Sequence, residues 1–271
     1  MIRGAAAAAL LLISSLASPA SARPLRVMSV DQCSDQFVLA LAPRNEIVGV
    51  SPHAFDADAW LRKDARGLTV RRPTLEEVLA AHPDVVVSYW TAEGRLADAL
   101  EAHGARVVRI EDAHDFNGVR ANIRRVASAL GRRPQGEAMI ARMDAELEAS
   151  RGAWGGRRAV YLTPGGFTTG PDTLVGAIIA GAGLTDAVHA PGYGPISLER
   201  LTLDPPDLLV LGFFDDTDTS RWEPGRSPLV DRLAKGHTAA RLPGAWLGCP
   251  AWFAADATAQ LAHAAPKRTA P

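Results

Sequence analysis

The chain has few cysteines, no dominant charge and no long apolar segment after its first residues. Its 271 residues include only Cys33 and Cys249, without Cys-x-x-Cys spacing, which excludes a zinc ribbon, a thioredoxin-type redox motif and a disulfide-rich scaffold. Lysine and arginine total 29, against 30 for aspartate and glutamate, so no strong field favours nucleic acid or an anionic membrane. With 47% hydrophobic and 22% charged residues, the composition indicates one large globular domain or two smaller ones.

Sequence motifs of the common enzymes and metal sites are also missing. The chain has no GxSxG elbow, no P-loop and no HExxH pair, each of which would supply a recognisable chemistry. Its seven histidines are scattered, so no dedicated metal site is expected. One enzyme hypothesis stays open, in which Asp31, Cys33 and His53 at the ends of predicted strands supply a cysteine nucleophile.

The first 22 residues predict an export signal rather than part of the fold. Arg3 precedes an uninterrupted apolar run from Ala5 to Ile13, and Ala20-Ser21-Ala22 offers small residues for cleavage. The run is much shorter than the roughly 20 residues that a membrane-spanning helix needs. We therefore expect a signal peptide cleaved after Ala22 and an exported mature protein in an oxidising compartment, where disulfides are permitted.

Short apolar runs alternate with helical patterns along the rest of the chain, which favours α/β construction with parallel sheets. The predicted strands span residues 25–30, 46–51, 84–88, 105–110, 158–163, 207–212 and 245–248. Between the fourth and the fifth, Val119, Ile123, Val126 and Leu130 form one stripe of a helix. The next helix would be about 27 Å long at 1.5 Å per residue, which is enough to brace two lobes.

These patterns predict two doubly wound α/β lobes with parallel sheets, joined by one long rigid helix. The expected segments are a signal peptide at 1–22, an N-terminal lobe at 23–133, an interlobe helix at 134–152, a C-terminal lobe at 153–265 and a flexible tail at 266–271.

The strongest internal signal is a repeat. Residues 74–87 read TLEEVLAAHPDVVV, and residues 197–210 read SLERLTLDPPDLLV, 123 positions later. Each copy begins with a helix-capping hydroxyl and passes through Pro-Asp into a buried strand, and Thr74 with Glu77 predicts a capping box. Glu76 and Glu199 occupy the same place in the two copies and should project outward. They are either a matched functional pair or two ordinary solvated glutamates.

Aromatic and polar residues follow several predicted strands. Ligands of open parallel sheets bind beyond the carboxyl ends of the strands. The candidate ligand-binding residues chosen on this ground are Gln32, Cys33, His53, Tyr89, Trp90, Phe167, Phe213 and Trp252. Since the chain is only 6% aromatic, this concentration predicts a platform for a large, partly apolar ligand, although such rings can also merely seal sheet edges.

Four blocks of sequence carry a family resemblance. They are RVMSVDQCSDQFVLAL with IVGVSPH, TLEEVLAAHPDVVVSYW, GFTTGPDTLVGAIIAGAGLTDAV and SLERLTLDPPDLLVL. In this order, with a helical strut between the halves, the chain from Arg26 to Leu261 resembles the periplasmic substrate-binding proteins of ABC importers for iron complexes and corrinoids. The resemblance implies a binding protein, not an enzyme, that captures a corrinoid or ferric siderophore between its lobes. It also implies that the oxidising compartment is the periplasm. It further implies delivery to an inner-membrane permease, with no cofactor or metal of its own and no nucleic-acid partner, and we expect a monomer.

The resemblance also implies roles for individual residues. In the family, one surface glutamate on each lobe, similar in position to Glu76 and Glu199, docks on permease arginines. His53 stands where cobalamin-binding relatives often have an aromatic residue, and Tyr89 with Trp90 falls in a ligand-contact loop. Heme-binding relatives typically use a tyrosine as axial ligand, so a heme receptor using Tyr89 is an alternative. Whether Cys33 and Cys249 form a disulfide between the lobes or stay free remains open at this point.

Overall fold

The computed structural model describes residues 23–90, 94–215 and 223–266. The predicted signal peptide at 1–22 and most of the predicted tail lie outside these residues. Within the described ranges, no helix combines the length and the apolar character that crossing a bilayer requires.

The N-terminal lobe is a four-stranded parallel sheet with helices between its strands. Its elements are β1 (Val27–Ser29), α1 (Gln32–Leu41), β2 (Ile47–Gly49), α2 (Leu75–Ala80), β3 (Val85–Ser88), α3 (Arg95–Ala102), β4 (Arg106–Arg109) and α4 (Phe116–Ala129). Short 3-10 turns at Arg44–Glu46 and Pro52–Phe55 flank β2. The strands lie in the order β2-β1-β3-β4, and the two central strands are buried throughout, as expected for a parallel sheet covered on both faces.

One long helix, α5 (Arg133–Ser150), follows the N-terminal lobe. The helix begins one residue earlier than the predicted segment at 134–152, and it ends two residues earlier than that segment does. The predicted stripe on α4 is confirmed, since Val119, Ile123 and Val126 are completely buried. Gly131 ends that helix with a φ of 68°, a left-handed conformation that glycine adopts without steric cost.

The C-terminal lobe repeats the same plan. Its elements are β5 (Arg158–Leu162), β6 (Phe167–Thr169), α6 (Leu174–Gly181), β7 (Thr185–Asp186), β8 (Tyr193–Pro195), α7 (Leu198–Leu203), β9 (Leu208–Gly212), α8 (Pro228–Ala234), β10 (Thr238–Leu242), α9 (Gly244–Leu247) and α10 (Ala254–His263). A 3-10 turn at Pro224–Arg226 precedes α8. The parallel sheet has the order β10-β9-β5-β7, and β6 pairs separately with β8. If the strands of each parallel sheet are numbered in chain order within their own lobe, both sheets have the strand order 2-1-3-4. This confirms two similar α/β lobes.

The sequence repeat has a matching structural role in the two lobes. Asp84 accepts a hydrogen bond from the backbone N–H of Arg26 at 2.9 Å. Asp207 accepts one from the backbone N–H of Arg158 at 3.0 Å. Each Pro-Asp therefore ties the start of its own strand to the neighbouring strand. The capping box predicted for the first copy is only half formed, because Glu77 bonds the N–H of Arg72 instead of that of its N-cap.

The strand predicted at 245–248 is wrong. Residues Gly244–Leu247 form the short helix α9, and the edge strand of the sheet is Thr238–Leu242. The apolar character of Trp246 reflects packing against Trp60 of the other lobe, with ring centroids 5.9 Å apart, and not burial in a sheet. Sequence reasoning also missed β6, β7 and β8, which are only two or three residues long each.

Candidate functional site

An aromatic pair stands at the carboxyl end of β3. The rings of Tyr89 and Trp90 stack with centroids 4.5 Å apart and an angle of 27° between their planes. Trp90 is 67% exposed, although it is a large apolar residue. An exposed, pre-ordered ring of this kind is suited to packing against a flat apolar ligand.

A buried carboxylate fixes the backbone beneath this pair. Asp31 caps α1 by accepting a hydrogen bond from the N–H of Ser34 at 2.9 Å. Its other oxygen accepts from the N–H of Tyr89 at 2.7 Å and from the hydroxyl of Ser88 at 3.3 Å. Asp31 therefore joins the ends of β1 and β3, and it is committed to a structural role.

The phenol of Tyr89 is held by a second carboxylate. Its O–H donates to Oδ1 of Asp112, which lies in the loop after β4. Burial first, and then the hydrogen bond and the charge of Asp112, raise the pKa of Tyr89 well above its ordinary value. Burial, and more weakly the charge of Asp112, also raise the pKa of Tyr193 in the C-terminal lobe. Tyr193 of the C-terminal lobe therefore lies close enough to Asp112 of the N-terminal lobe to interact with its charge, and we call the space between the lobes here the cleft.

The C-terminal side of the cleft carries a two-stranded ribbon made of β6 and β8. In its register Phe167 faces Pro195 and Thr169 faces Tyr193. Because side chains alternate along a strand and paired residues share a face, Phe167 and Tyr193 project from the same face. They are 51% and 62% exposed. We call Tyr89, Trp90, Asp112, Phe167 and Tyr193 the cleft rim.

A disulfide joins the two lobes. The sulfurs of Cys33 and Cys249 are bonded, with their Cα atoms 5.4 Å apart, and both residues are only 5% exposed. Neither thiol is free, so Cys33 carries no nucleophile here. The nucleophile of the enzyme hypothesis is therefore absent.

Aromatic rings from both lobes surround this disulfide region. Phe37 meets Trp252 edge-on at 5.5 Å, and Trp252 meets Phe253 at 5.3 Å. Trp60 lies 5.7 Å from Phe253. We call the disulfide, these four residues and Trp246 the interlobe core. Two residues predicted to bind ligand, Cys33 and Trp252, thus have their main contacts between the lobes.

The remaining predicted ligand-binding residues are placed separately. Gln32 donates to Asp58 at 2.8 Å, and the exposed His53 pairs with Asp56 at 2.8 Å. Phe213 is half-buried, with a φ of 62°, which is unusual for a bulky residue. Of the eight predicted residues, the structure brings only Tyr89, Trp90 and Phe167 to the cleft rim.

A buried acid supports the floor of the N-terminal lobe. Asp35 is completely buried and bonds the hydroxyl of Ser29 at 2.5 Å and the hydroxyl of Ser51 at 2.6 Å. It thereby joins the carboxyl ends of β1 and β2. Burial raises the pKa of Asp35 from 3.8 to about 7, with a smaller contribution from the charge of Asp31, although the serine hydrogen bonds oppose the shift.

We expect Asp35→Asn to flatten the pH dependence of stability. The unfolded chain loses the Asp35 proton near pH 4, and the folded chain loses it near pH 7. The contribution of the protonated Asp35 to the free energy of unfolding is therefore fully present below pH 4 and is lost as the pH rises to 7. Between pH 5 and 7 this group should lower the free energy of unfolding by about 2 kcal/mol. Asparagine is uncharged at every pH, like the protonated acid, so Asp35→Asn should not lose stability over this pH range through this position. Urea unfolding at several pH values measures it, with Asp98→Asn, an exposed change on α3, as control. Equal slopes in parent and Asp35→Asn would contradict the expectation.

Sequence reasoning missed the two polar residues that complete the cleft rim. Asp112 lies two residues beyond the predicted strand at 105–110. The rule that ligands bind beyond the carboxyl ends of parallel strands, which indicated Tyr89, therefore also applies to Asp112. Tyr193 belongs to a three-residue strand within a loop, and its position opposite Asp112 depends on how the lobes meet. No local pattern indicates that arrangement.

The repeated glutamates lie far from these contacts in sequence and outside both lobes' cores. Glu76 and Glu199 are exposed residues in the first turns of α2 and α7. Among the described residues, neither forms an ion pair within the chain. Both carboxylates are therefore available to another molecule.

Comparison with curated proteins finds a relative of known ligand. The chain is 27% identical over 203 residues to the cobalamin-binding protein of Halobacterium salinarum, in two strains. The match covers 71% of this chain and 55% of the relative, so the chain spans about half the length of the curated relatives it matches.

Comparison with solved structures confirms the fold. The periplasmic heme-binding protein of Roseiflexus sp. RS-1 superposes with a TM-score of 0.69 at 21% identity, covering 89% of this chain and 97% of that one. An Fe3+-hydroxamate transport protein of Saccharomonospora viridis gives 0.65 at 18% identity, covering 89% and 93%. The Periplasmic binding protein family model matches residues 27–244, more than half of the chain, and the chain therefore belongs to that family.

Proposed function

We propose that this protein is the solute-binding component of an ABC importer, and that it captures a corrinoid between its lobes. Family membership and the cobalamin-binding relative support the class of function. The observation that carries the ligand proposal is the exposed, stacked pair of Tyr89 and Trp90, with the exposed rings of Phe167 and Tyr193 on the other lobe. A ligand held by rings on both sides is larger than a sugar or an amino acid.

The charge at the cleft favours a neutral or cationic ligand. Asp112, which accepts a hydrogen bond from Tyr89, is the charged residue of the cleft rim. It pairs with no lysine or arginine within the described ranges. A corrinoid with amide side chains suits such a surface, whereas heme propionates or an anionic ferric siderophore would be repelled.

Binding, and not catalysis, accounts for the other features of the cleft. The acid and the cysteine of the enzyme hypothesis are engaged elsewhere, since Asp31 caps a helix and Cys33 is in a disulfide. His53 is paired with Asp56. We further propose that the protein acts as a periplasmic monomer without a cofactor of its own and that it docks on its permease through Glu76 and Glu199.

Titration with three coloured probes tests the ligand proposal. We expect cyanocobalamin to bind in a one-to-one complex that quenches tryptophan fluorescence, because rings line both sides of the cleft. Ferric heme and an anionic ferric hydroxamate should bind at least about tenfold more weakly, a difference of only 1.4 kcal/mol. Tight binding of either anionic probe without corrinoid binding would overturn the ligand assignment.

A pair of variants links that binding to the cleft rim. Trp90→Ala should weaken corrinoid binding by about tenfold or more, as is usual when a central aromatic contact is lost. Leu203→Ala removes a side chain that is 86% exposed at the end of α7, outside the cleft, and should leave affinity unchanged. Equal affinities for the two variants would contradict the role of Trp90.

A further inference from the structure

We propose that Asp112 determines the ligand class of the cleft by holding Tyr89 as a neutral phenol, so that Tyr89 and Trp90 form a stacking platform instead of an iron-binding tyrosinate. This inference rests on the proposed binding function and deepens it. It assigns to Asp112 a specificity role that the similarity to heme-binding structures would not suggest.

Three contacts hold the Tyr89 ring in one place. Its backbone N–H donates to Asp31, its O–H donates to Asp112, and its ring stacks on Trp90. Asp31 and Asp112 follow different strands of one sheet, so the ring is anchored to two strand ends. A side chain anchored at both backbone and hydroxyl has little freedom to turn its oxygen towards a metal.

The charge of Asp112 opposes formation of a phenolate. Loss of the Tyr89 proton would place a second negative charge within hydrogen-bond distance of the carboxylate, whereas a cationic neighbour would have the reverse effect. Tyrosine ligates ferric iron in proteins as the axial ligand of some haems, and it does so after losing that proton. Tyr161 offers no substitute, because its side chain is only 2% exposed and lies in the core of the C-terminal lobe.

The same carboxylate can recognise an amide-bearing ligand. Only Oδ1 of Asp112 accepts a hydrogen bond from Tyr89, and within the described part of the chain Oδ2 accepts none. A carboxylate oxygen readily accepts an N–H, and the bond is stronger because the acceptor is charged. Asp112 therefore disfavours iron ligation by Tyr89 and at the same time favours the amide side chains of a corrinoid.

The test compares Asp112→Asn with Glu111→Gln. Both remove one negative charge from neighbouring exposed positions, but only Asp112 contacts Tyr89, so Glu111→Gln is the matched control. Ultraviolet titration should show the phenol midpoint of Tyr89 falling by about one pH unit or more in Asp112→Asn, with the affected residue identified by Tyr89→Phe. With ferric heme as probe, Asp112→Asn alone should develop a tyrosinate-to-iron absorption band, which Asp112→Asn/Tyr89→Phe lacks. The affinity of Asp112→Asn for cyanocobalamin should fall about tenfold relative to the parent.

Two results would overturn the proposal. One is a tyrosinate–iron band in the parent that disappears in Tyr89→Phe. The other is a phenol midpoint or a heme spectrum that is the same in Asp112→Asn as in Glu111→Gln. If the parent binds no corrinoid but the midpoint and the heme band change as expected, the role of Asp112 is supported and the proposed ligand alone is wrong.

Discussion

A protein without the Cys33–Cys249 disulfide should be less stable than the parent by about 3–5 kcal/mol. The bond spans 216 positions, and closing a loop of that length restricts the unfolded chain by about 5 kcal/mol in the chain-entropy account, while measured values are more often 2–4 kcal/mol. Cys33→Ala/Cys249→Ala removes the bond together with its sulfurs. Chemical unfolding of the variant and of the oxidised parent measures the difference.

The reduced parent separates the bond from the packing around it. It retains both sulfurs, which are buried in the interlobe core, and lacks only the covalent link. We expect its stability to lie near that of the alanine variant. Thiol counting on unreduced, denatured protein should find no free thiol, and two free thiols or equal stability of the reduced and oxidised parent would contradict the role of the bond.

The disulfide also limits how the lobes can move. Helix α5 connects them along the chain, and the bond between Cys33 and Cys249 connects them a second time. Two rigid lobes joined at two places move most easily by rotation about the line through both joints. Under the proposed function, ligand entry through the cleft rim requires small rotations, and the proposed corrinoid should be released faster from the alanine variant.

Loss of both Glu76 and Glu199, the proposed docking glutamates, should nearly abolish transport. Glu76 and Glu199 are exposed, unpaired within the described chain and placed alike on two similar lobes. Contacts between arginine and carboxylate are charge-assisted and can be bidentate, so each glutamate should contribute affinity and register on the permease. We expect Glu76→Ala or Glu199→Ala to reduce transport in reconstituted vesicles, and the double variant to reduce it further.

Stability and ligand binding serve as internal checks on that experiment. Exposed charge changes usually alter the free energy of unfolding by less than about 0.5 kcal/mol, and neither glutamate belongs to the cleft rim, so corrinoid affinity should be unchanged. Glu101→Ala, an exposed change on α3, is the matched control. If the double variant supports transport as well as this control does, the two glutamates are ordinary solvated residues.

The secondary structure was predictable wherever a local pattern determined it. Buried strands such as Val85–Ser88 are continuous apolar runs, the stripe on α4 has helical spacing, and the repeat at 74 and 197 recurs in space as two matching helix–strand units. The failure at 245–248 has a definite cause. Trp246 is apolar because it meets Trp60 of the other lobe, and a contact distant in sequence leaves no periodic signal.

The amino-acid sequence by itself determined the two-lobe α/β architecture, the long helix between the lobes and the exposed aromatic pair at Tyr89 and Trp90. Those features depend on hydrophobic periodicity, capping and strand ends, which are local. Only the tertiary structure decided that Cys33 and Trp252 lie between the lobes and that Asp112 holds the phenol of Tyr89 opposite Tyr193. Each of these depends on the distance between groups on different strands or lobes, which is set by how the sheets and helices pack.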